Sequence, residues 1–206
     1  MAVTLCGNPL DNILRCVIIC LVMNQAAKQP TTLEYAILGL LALEPRSGYD
    51  LLNVFRTTAI GNYSSSPGAI YPALGRLEKR GLITGTVDHM QTLRPKKIFQ
   101  PTSMGDETLR RWLASEIAKD DVKRHLDELL LRFAFHSLLD AAASRAFLRG
   151  LAVKVDEYVA ELRAQRKIFP KEAPPHGRMA FELGLQHYVS CARWARKALR
   201  HFEEQS

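Results

Sequence analysis

The sequence predicts a mainly α protein: an N-terminal winged helix-turn-helix domain with a small β-hairpin wing, followed by an all-helical dimerisation domain. Three short helical patterns run straight into two strand patterns around a basic tip. The second half carries two long apolar stripes at helical spacing. The composition, 47% hydrophobic and 24% charged over 206 residues, is that of a globular chain with a real core. Disordered, collagen-like and low-complexity classes are thereby excluded. The chain divides into an extension at 1–30, a winged-helix domain at 31–104 and a helical domain at 105–206. The net charge of +7 is compatible with a polyanionic partner.

The first thirty residues differ from the rest. Residues 16–23, Cys-Val-Ile-Ile-Cys-Leu-Val-Met, are an uninterrupted apolar run. A membrane-spanning helix needs about 20 such residues, so a membrane partner is not expected. Asp11 and Arg15 precede the run and give no positive end for a signal peptide. Residues 1–30 read as a poorly ordered extension, or as sequence upstream of the true start with Met23 as initiator. Cys6, Cys16 and Cys20 fall here and only Cys191 lies outside. No disulfide framework spans the chain, and the compartment reads as reducing and cytoplasmic.

Residues 33–43 form a helix that is apolar nearly all round and must be buried. Pro45 stops it. Ser47 opens a second helix with Asp50 as the partner of a capping box. Its inward face is expected to be Tyr49, Leu52 and Phe55. Residues 57–66 are a polar loop. Ser66 then caps a third helix with Pro67 at its first position. Ile70, Leu74 and Leu77 share one face. Gly68, Pro72, Gly75, Arg76 and Lys79 share the other. Pro72 removes one hydrogen bond, so a slight irregularity is expected there. Gly81 ends the helix near Arg80.

Strands at 82–87 and 96–100 flank a tip at 88–95. In this arrangement the third helix suits the major groove, and its small residues allow close backbone approach. Arg94, Lys96 and Lys97 would meet phosphates beside the groove. Physics alone leaves open a protein-binding module or a domain that only dimerises.

Several stretches resemble the PadR-type transcriptional regulators. They are Leu38-Gly39-Leu40-Leu41, Ser47-Gly48-Tyr49-Asp50-Leu51, and Ser66-Pro67-Gly68-Ala69-Ile70-Tyr71-Pro72-Ala73-Leu74 through Arg76-Leu77-Glu78 to Gly81-Leu82-Ile83. The wing continues as Arg94-Pro95-Lys96-Lys97-Ile98-Phe99, then Pro101-Thr102 to Gly105. Glu128-Leu129-Leu130-Leu131-Arg132-Phe133 and Trp194 are similar to the longer members with a helical dimerisation domain. The resemblance implies a cytoplasmic dimer that binds double-stranded DNA. Most such proteins repress, and many release DNA on binding a small molecule such as a phenolic acid; some longer members activate. By position, Ser66, Gly68, Tyr71 and Arg76, with Lys79 beside them, fall where the recognition helix meets DNA. Arg94, Lys96 and Lys97 fall on the wing, and Tyr49 is expected in the core.

A helix is predicted over 105–118 and another over 121–139, the latter with Leu126, Leu129, Leu130 and Phe133 on one face. Beyond them Leu148, Leu151, Val155, Tyr158 and Leu162 step by three and four. So do Phe181, Leu185, Tyr188, Ala192, Ala195, Leu199 and Phe202. Phe169 to Gly177, with Pro170, Pro174 and Pro175, is the turn between them. A helix of about twenty-five residues reaches about 37 Å at about 1.5 Å per residue. The pattern predicts that two chains share the seam and present two reading helices about 34 Å apart to a palindromic site. The alternative is an antiparallel pair closed within one chain and packed on helix 121–139.

Trp112, Phe133, Phe135, Tyr158, Tyr188 and Trp194 could line a pocket for a small aromatic effector, with Arg132, Arg163 or Arg193 holding a carboxylate. They could equally be core and surface. No phosphate loop, dinucleotide fingerprint, His-Glu-x-x-His or Gly-x-Ser-x-Gly occurs, and the six histidines are scattered. The sequence therefore predicts no enzyme, no cofactor and no metal. It points to a homodimeric repressor on a palindromic operator, released by a small aromatic effector. An activator of the same family and a winged-helix adaptor for protein partners are the alternatives.

Overall fold

The computed structural model describes residues 29–63, 66–88, 95–168 and 174–204. The predicted extension up to residue 28, the wing tip with Arg94, and residues 169–173 lie outside the described residues. The expected winged helix is present. Helix α1 (Thr32–Leu43) is buried from Glu34 to Leu41. Its start is a capping box that the sequence reading did not predict: Thr31 accepts from the Glu34 N–H, and the Glu34 carboxylate accepts from the Thr31 N–H. Helix α2 (Gly48–Thr57) opens on the expected box of Ser47 and Asp50. Helix α3 (Pro67–Lys79) opens on Ser66 and buries Ile70, Ala73, Leu74 and Leu77.

Strand β1 (Arg46–Ser47) was not predicted, because two residues are too few to show alternation. With β2 (Ile83–Asp88) and β3 (Lys96–Pro101) it forms an antiparallel sheet in the order β1-β3-β2. Arg46 pairs with Phe99, and Gly85 pairs with Phe99 from the other side. Helix α3 runs unbroken through Pro72. The carbonyl that loses a partner there belongs to Gly68, in an exposed first turn where water can serve it. At Gly81, φ is +68°, a region that favours glycine, and its N–H closes α3 on the Glu78 carbonyl at 2.9 Å.

Helix α4 (Ser103–Leu113) stops earlier than the predicted 118. The predicted 121–139 helix is two: α5 (Lys119–Arg124) and α6 (Leu126–Ala134), broken at His125 with φ −135° and ψ 31°. The break lets α6 serve two cores. Leu126 and Leu129 pack into the tail, while Leu131 and the following Phe135 pack into the head. Leu130, expected inward, is exposed. Gly39 leaves room for the Phe135 ring against α1, where a Cβ would sit 2.7 Å from it.

Helices α7 (Ala141–Lys167) and α8 (Pro175–Glu204) form the tail. Pro175 is already helical, so the turn is shorter than predicted. Three ion pairs show that the two helices run antiparallel: Arg149 with Glu203, Asp156 with Arg196, and Arg166 with Glu182. Lys119 and Lys123 of α5 both reach Glu161 on α7.

The two apolar stripes face each other within one chain. Leu148, Leu151, Val155, Leu162 and Leu185 are buried, and Tyr158, Phe181, Tyr188 and Leu199 are partly buried. This corrects the expected open seam at Leu148, Leu151, Val155, Leu162 and Leu185, which their own chain already covers, while Tyr158, Phe181, Tyr188 and Leu199 keep part of their surface. The reason is that a three-and-four spacing fixes the face of a helix but not which chain supplies the partner. Instead, Met179 at 68% and Leu183 at 70% stand exposed on the outward face of α8. The Cys191 thiol is unpaired and half-buried, and burial pushes its pKa up. Among the described residues no helix is long and apolar enough to cross a membrane, and no group of His, Cys, Asp and Glu could hold a metal.

Candidate nucleic-acid interface

The side of α3 opposite its buried face is bare. At about 100° per residue, Gly68, Pro72, Gly75 and Lys79 line one strip. A Cβ on Gly75 would meet nothing within 4 Å, and one on Gly68 would meet only Ser66 Oγ at 3.4 Å. Ser66 Oγ accepts from the Gly68 N–H at 3.2 Å, which holds the first turn. A polyanion can therefore approach the α3 backbone closely.

The edges of the strip carry the longer side chains. Tyr71 is exposed, and its ring lies across Gly48, where a Cβ would sit 2.6 Å from Tyr71 Cε1. Tyr49 is 63% exposed, which corrects its expected place in the core. Leu51 takes that place with Leu52 and Phe55. At about 100° per residue Tyr49 lies about 60° from Leu52 but about 120° from Phe55, just past the edge of the face that Gly48, Leu51, Leu52 and Phe55 bury. Asp50 keeps its negative charge within the capping box. The Ser47 hydroxyl holds its carboxyl below the usual range, with Lys96 and Arg46 adding to the effect.

The cations are not equivalent. Lys96 and Lys79 are exposed. Lys97 Nζ lies 2.7 Å from Glu78 and 5.2 Å from the centre of the Phe99 ring, so its charge is partly compensated. Arg76 Nε donates to Glu34 at 2.6 Å across the opposite edge. Ser66, Gly68, Tyr71, Lys79 and the wing base with Lys96 thus surround one exposed helix face, with Arg76 at its rim.

Behind this face the head and tail are tied together. Tyr35 and Trp112 stack at 4.3 Å, and Glu128 accepts from both Trp112 Nε1 and Thr32 Oγ1. The Tyr63 hydroxyl donates to the Asp127 carbonyl at 2.7 Å. Burial, reinforced by Asp127 and Glu128, pushes its pKa up to about 12. Arg132 is buried, donates to the carbonyls of Leu113 and Ser115, and lies 5.2 Å over the Phe147 ring. The aromatic residues expected to line one pocket are divided. Trp112 and Phe135 belong to the head, Phe133 and Trp194 meet at 5.3 Å in the tail, and Tyr158 meets Tyr188 elsewhere. Arg163 and Arg193 are exposed.

His136 sits at the same junction, buried 4.6 Å from Phe147. Burial pushes its pKa below the ordinary 6.5, Arg132 adds to the push, and the Leu113 carbonyl opposes it. The unfolded chain then binds a proton that the folded one resists. Stability therefore falls as pH drops through the ordinary histidine value. The thermal midpoint is expected to drop between pH 7.5 and pH 5.5, and by less in His136→Leu. Equal drops in both proteins would remove His136 as the cause.

Known families match both halves. The transcriptional regulator PadR-like family matches residues 37–111, and the family described as virulence activator alpha C-term matches residues 127–203. The negative transcriptional regulator PadR of Bacillus subtilis is 27% identical over 157 residues, 76% of this chain and 84% of that protein. The transcriptional regulator YqjI of Escherichia coli is 40% identical over 52 residues, 25% of either chain. The crystal structure of Bacillus subtilis PadR in complex with operator DNA is 26% identical with a TM-score of 0.39, covering 84% of this chain and 99% of that one.

Proposed function

The chain belongs to the PadR-like family of transcriptional regulators, and on that premise we propose that it binds double-stranded operator DNA as a cytoplasmic homodimer and represses transcription. The bare strip of α3, edged by Tyr71 and Lys96, is the observation that carries the reading. It offers a helix backbone and exposed cations to a major groove. The Bacillus subtilis relative is named as a negative regulator, which supports repression. A two-fold dimer presents two such helices to a palindromic operator. The exposed Met179 and Leu183 on α8 are the apolar surface such a contact would cover. A small aromatic effector would release DNA by favouring a state in which the two reading helices are wrongly spaced.

The wing supplies the test. Replacing Arg94, Lys96 and Lys97 together by Ala should weaken binding to every duplex and flatten the dependence of log K on log salt by up to about three phosphate contacts. Lys97, already paired with Glu78, contributes least of the three. A slope equal to that of the unsubstituted chain removes the wing from the interface.

Activation is the second reading, favoured by the virulence-activator match over residues 127–203. A reporter on the regulated promoter separates the two. Deleting the gene raises expression under a repressor and lowers it under an activator.

A further inference from the structure

We propose that Glu34 is a positioning residue for DNA recognition: its buried carboxylate fixes the Arg76 guanidinium so that the outer nitrogens grip the phosphate backbone beside the groove. The inference rests on the DNA-binding reading above. Glu34 is only 2% exposed, a costly place for a carboxylate unless it is paired and hydrogen-bonded. It is both. One oxygen accepts from Arg76 Nε at 2.6 Å. The other accepts from the Thr31 N–H at 2.9 Å and lies 3.6 Å from Arg80. A capping box requires only the bond to Thr31. The two arginines, both from the end of α3, are additional.

Arg76 is not buried with its partner. Its side chain is 52% exposed. A bond through Nε sets the plane of the guanidinium, and its terminal NH2 groups keep donors for another acceptor. Arg76 stands on the α3 rim facing α1, across the bare strip from Tyr71. That is where the backbone of a DNA strand flanking the groove would pass. A planar, preorientated guanidinium bonds a phosphate in a way that a freely rotating one does not. Glu34 therefore lowers local positive charge while improving the geometry of the charge that remains.

These two effects have opposite signs, and that makes the role testable. The probes are a duplex enriched from a random-sequence pool by the full unsubstituted chain, and a scrambled duplex of the same length. In Glu34→Gln the added net charge should hold or raise affinity for the scrambled duplex, while affinity for the enriched one falls about tenfold or more. Arg76→Lys keeps the charge, alters only the exposed rim and cannot form the Nε bond. It should show the same loss of discrimination, and the double variant should be no worse than either alone. The proposal is overturned if either variant discriminates as well as the unsubstituted chain. It is also overturned if Glu34→Gln loses both affinities together in step with its thermal midpoint, since that is a purely structural role. If the unsubstituted chain enriches no sequence at all, the DNA reading itself fails and takes this proposal with it.

Discussion

Val155→Asp will unfold the tail rather than release folded monomers. Val155 is fully buried between α7 and α8, in one cluster with Leu151, Val159, Leu185 and Ala192. A carboxylate there would be set among apolar side chains, and the valine packing is lost as well. The expected cost is about 3 kcal/mol or more, a large share of the 5–15 kcal/mol that holds a typical domain together. Circular dichroism should show a lower and broader thermal transition. Leu183→Asp is the contrast. Leu183 is exposed, so that variant should melt like the unsubstituted chain while sedimentation shows weaker association. A folded, monomeric Val155→Asp chain with an unchanged midpoint would contradict the packing of α7 on α8 and restore a seam between chains.

Gly75→Glu will do the reverse: stabilise the chain and abolish DNA binding. A Cβ at Gly75 meets nothing within 4 Å, so the folded chain accommodates the side chain. Glutamate is the better helix former by about 0.5–1 kcal/mol, so the thermal midpoint should hold or rise. In the complex the same side chain projects from the middle of the strip and places a carboxylate against the phosphates. A loss of about 100-fold or more in affinity is expected, roughly 2.8 kcal/mol. Unchanged binding by a well-folded Gly75→Glu chain would move the DNA interface off α3.

The head was legible in the sequence because its signals are local. Ser47, Ser66 and Gly81 mark helix ends by their own chemistry, and the structure uses each in that way. The apolar positions Ile70, Leu74 and Leu77 name the buried face directly. Tyr49 shares the three-residue spacing of Leu52 and Phe55, but the buried face of α2 is centred on Leu51, Leu52 and Phe55 and Tyr49 falls past its edge. Strand β1 exists only because Arg46 and Ser47 lie beside Phe99 and Ile98, a long-range fact that two residues cannot announce.

The tail was less legible. Its stripes were read correctly as helix faces, but their partner is set by tertiary structure. The break at His125 and the double duty of α6 have the same origin, since Leu129 and Leu131 are drawn to different cores. At the candidate interface the residue types were legible, while their pairing was not. Glu34 is 42 positions from Arg76, and Glu78 is 19 from Lys97. Only the fold shows that two of the expected cations carry carboxylate partners while Lys79 and Lys96 stand exposed.

The most direct test is anisotropy of the full chain on its enriched duplex at two salt concentrations, about 50 and 200 mM. A protein that neutralises several phosphates loses about 10³–10⁵ in affinity over that range when it makes six to ten such contacts. The exposed cations around α3 predict a smaller but steep loss, about tenfold or more, with the enriched duplex still preferred over the scrambled one. Binding that ignores salt, or no binding at the lower concentration, would contradict a DNA-reading head.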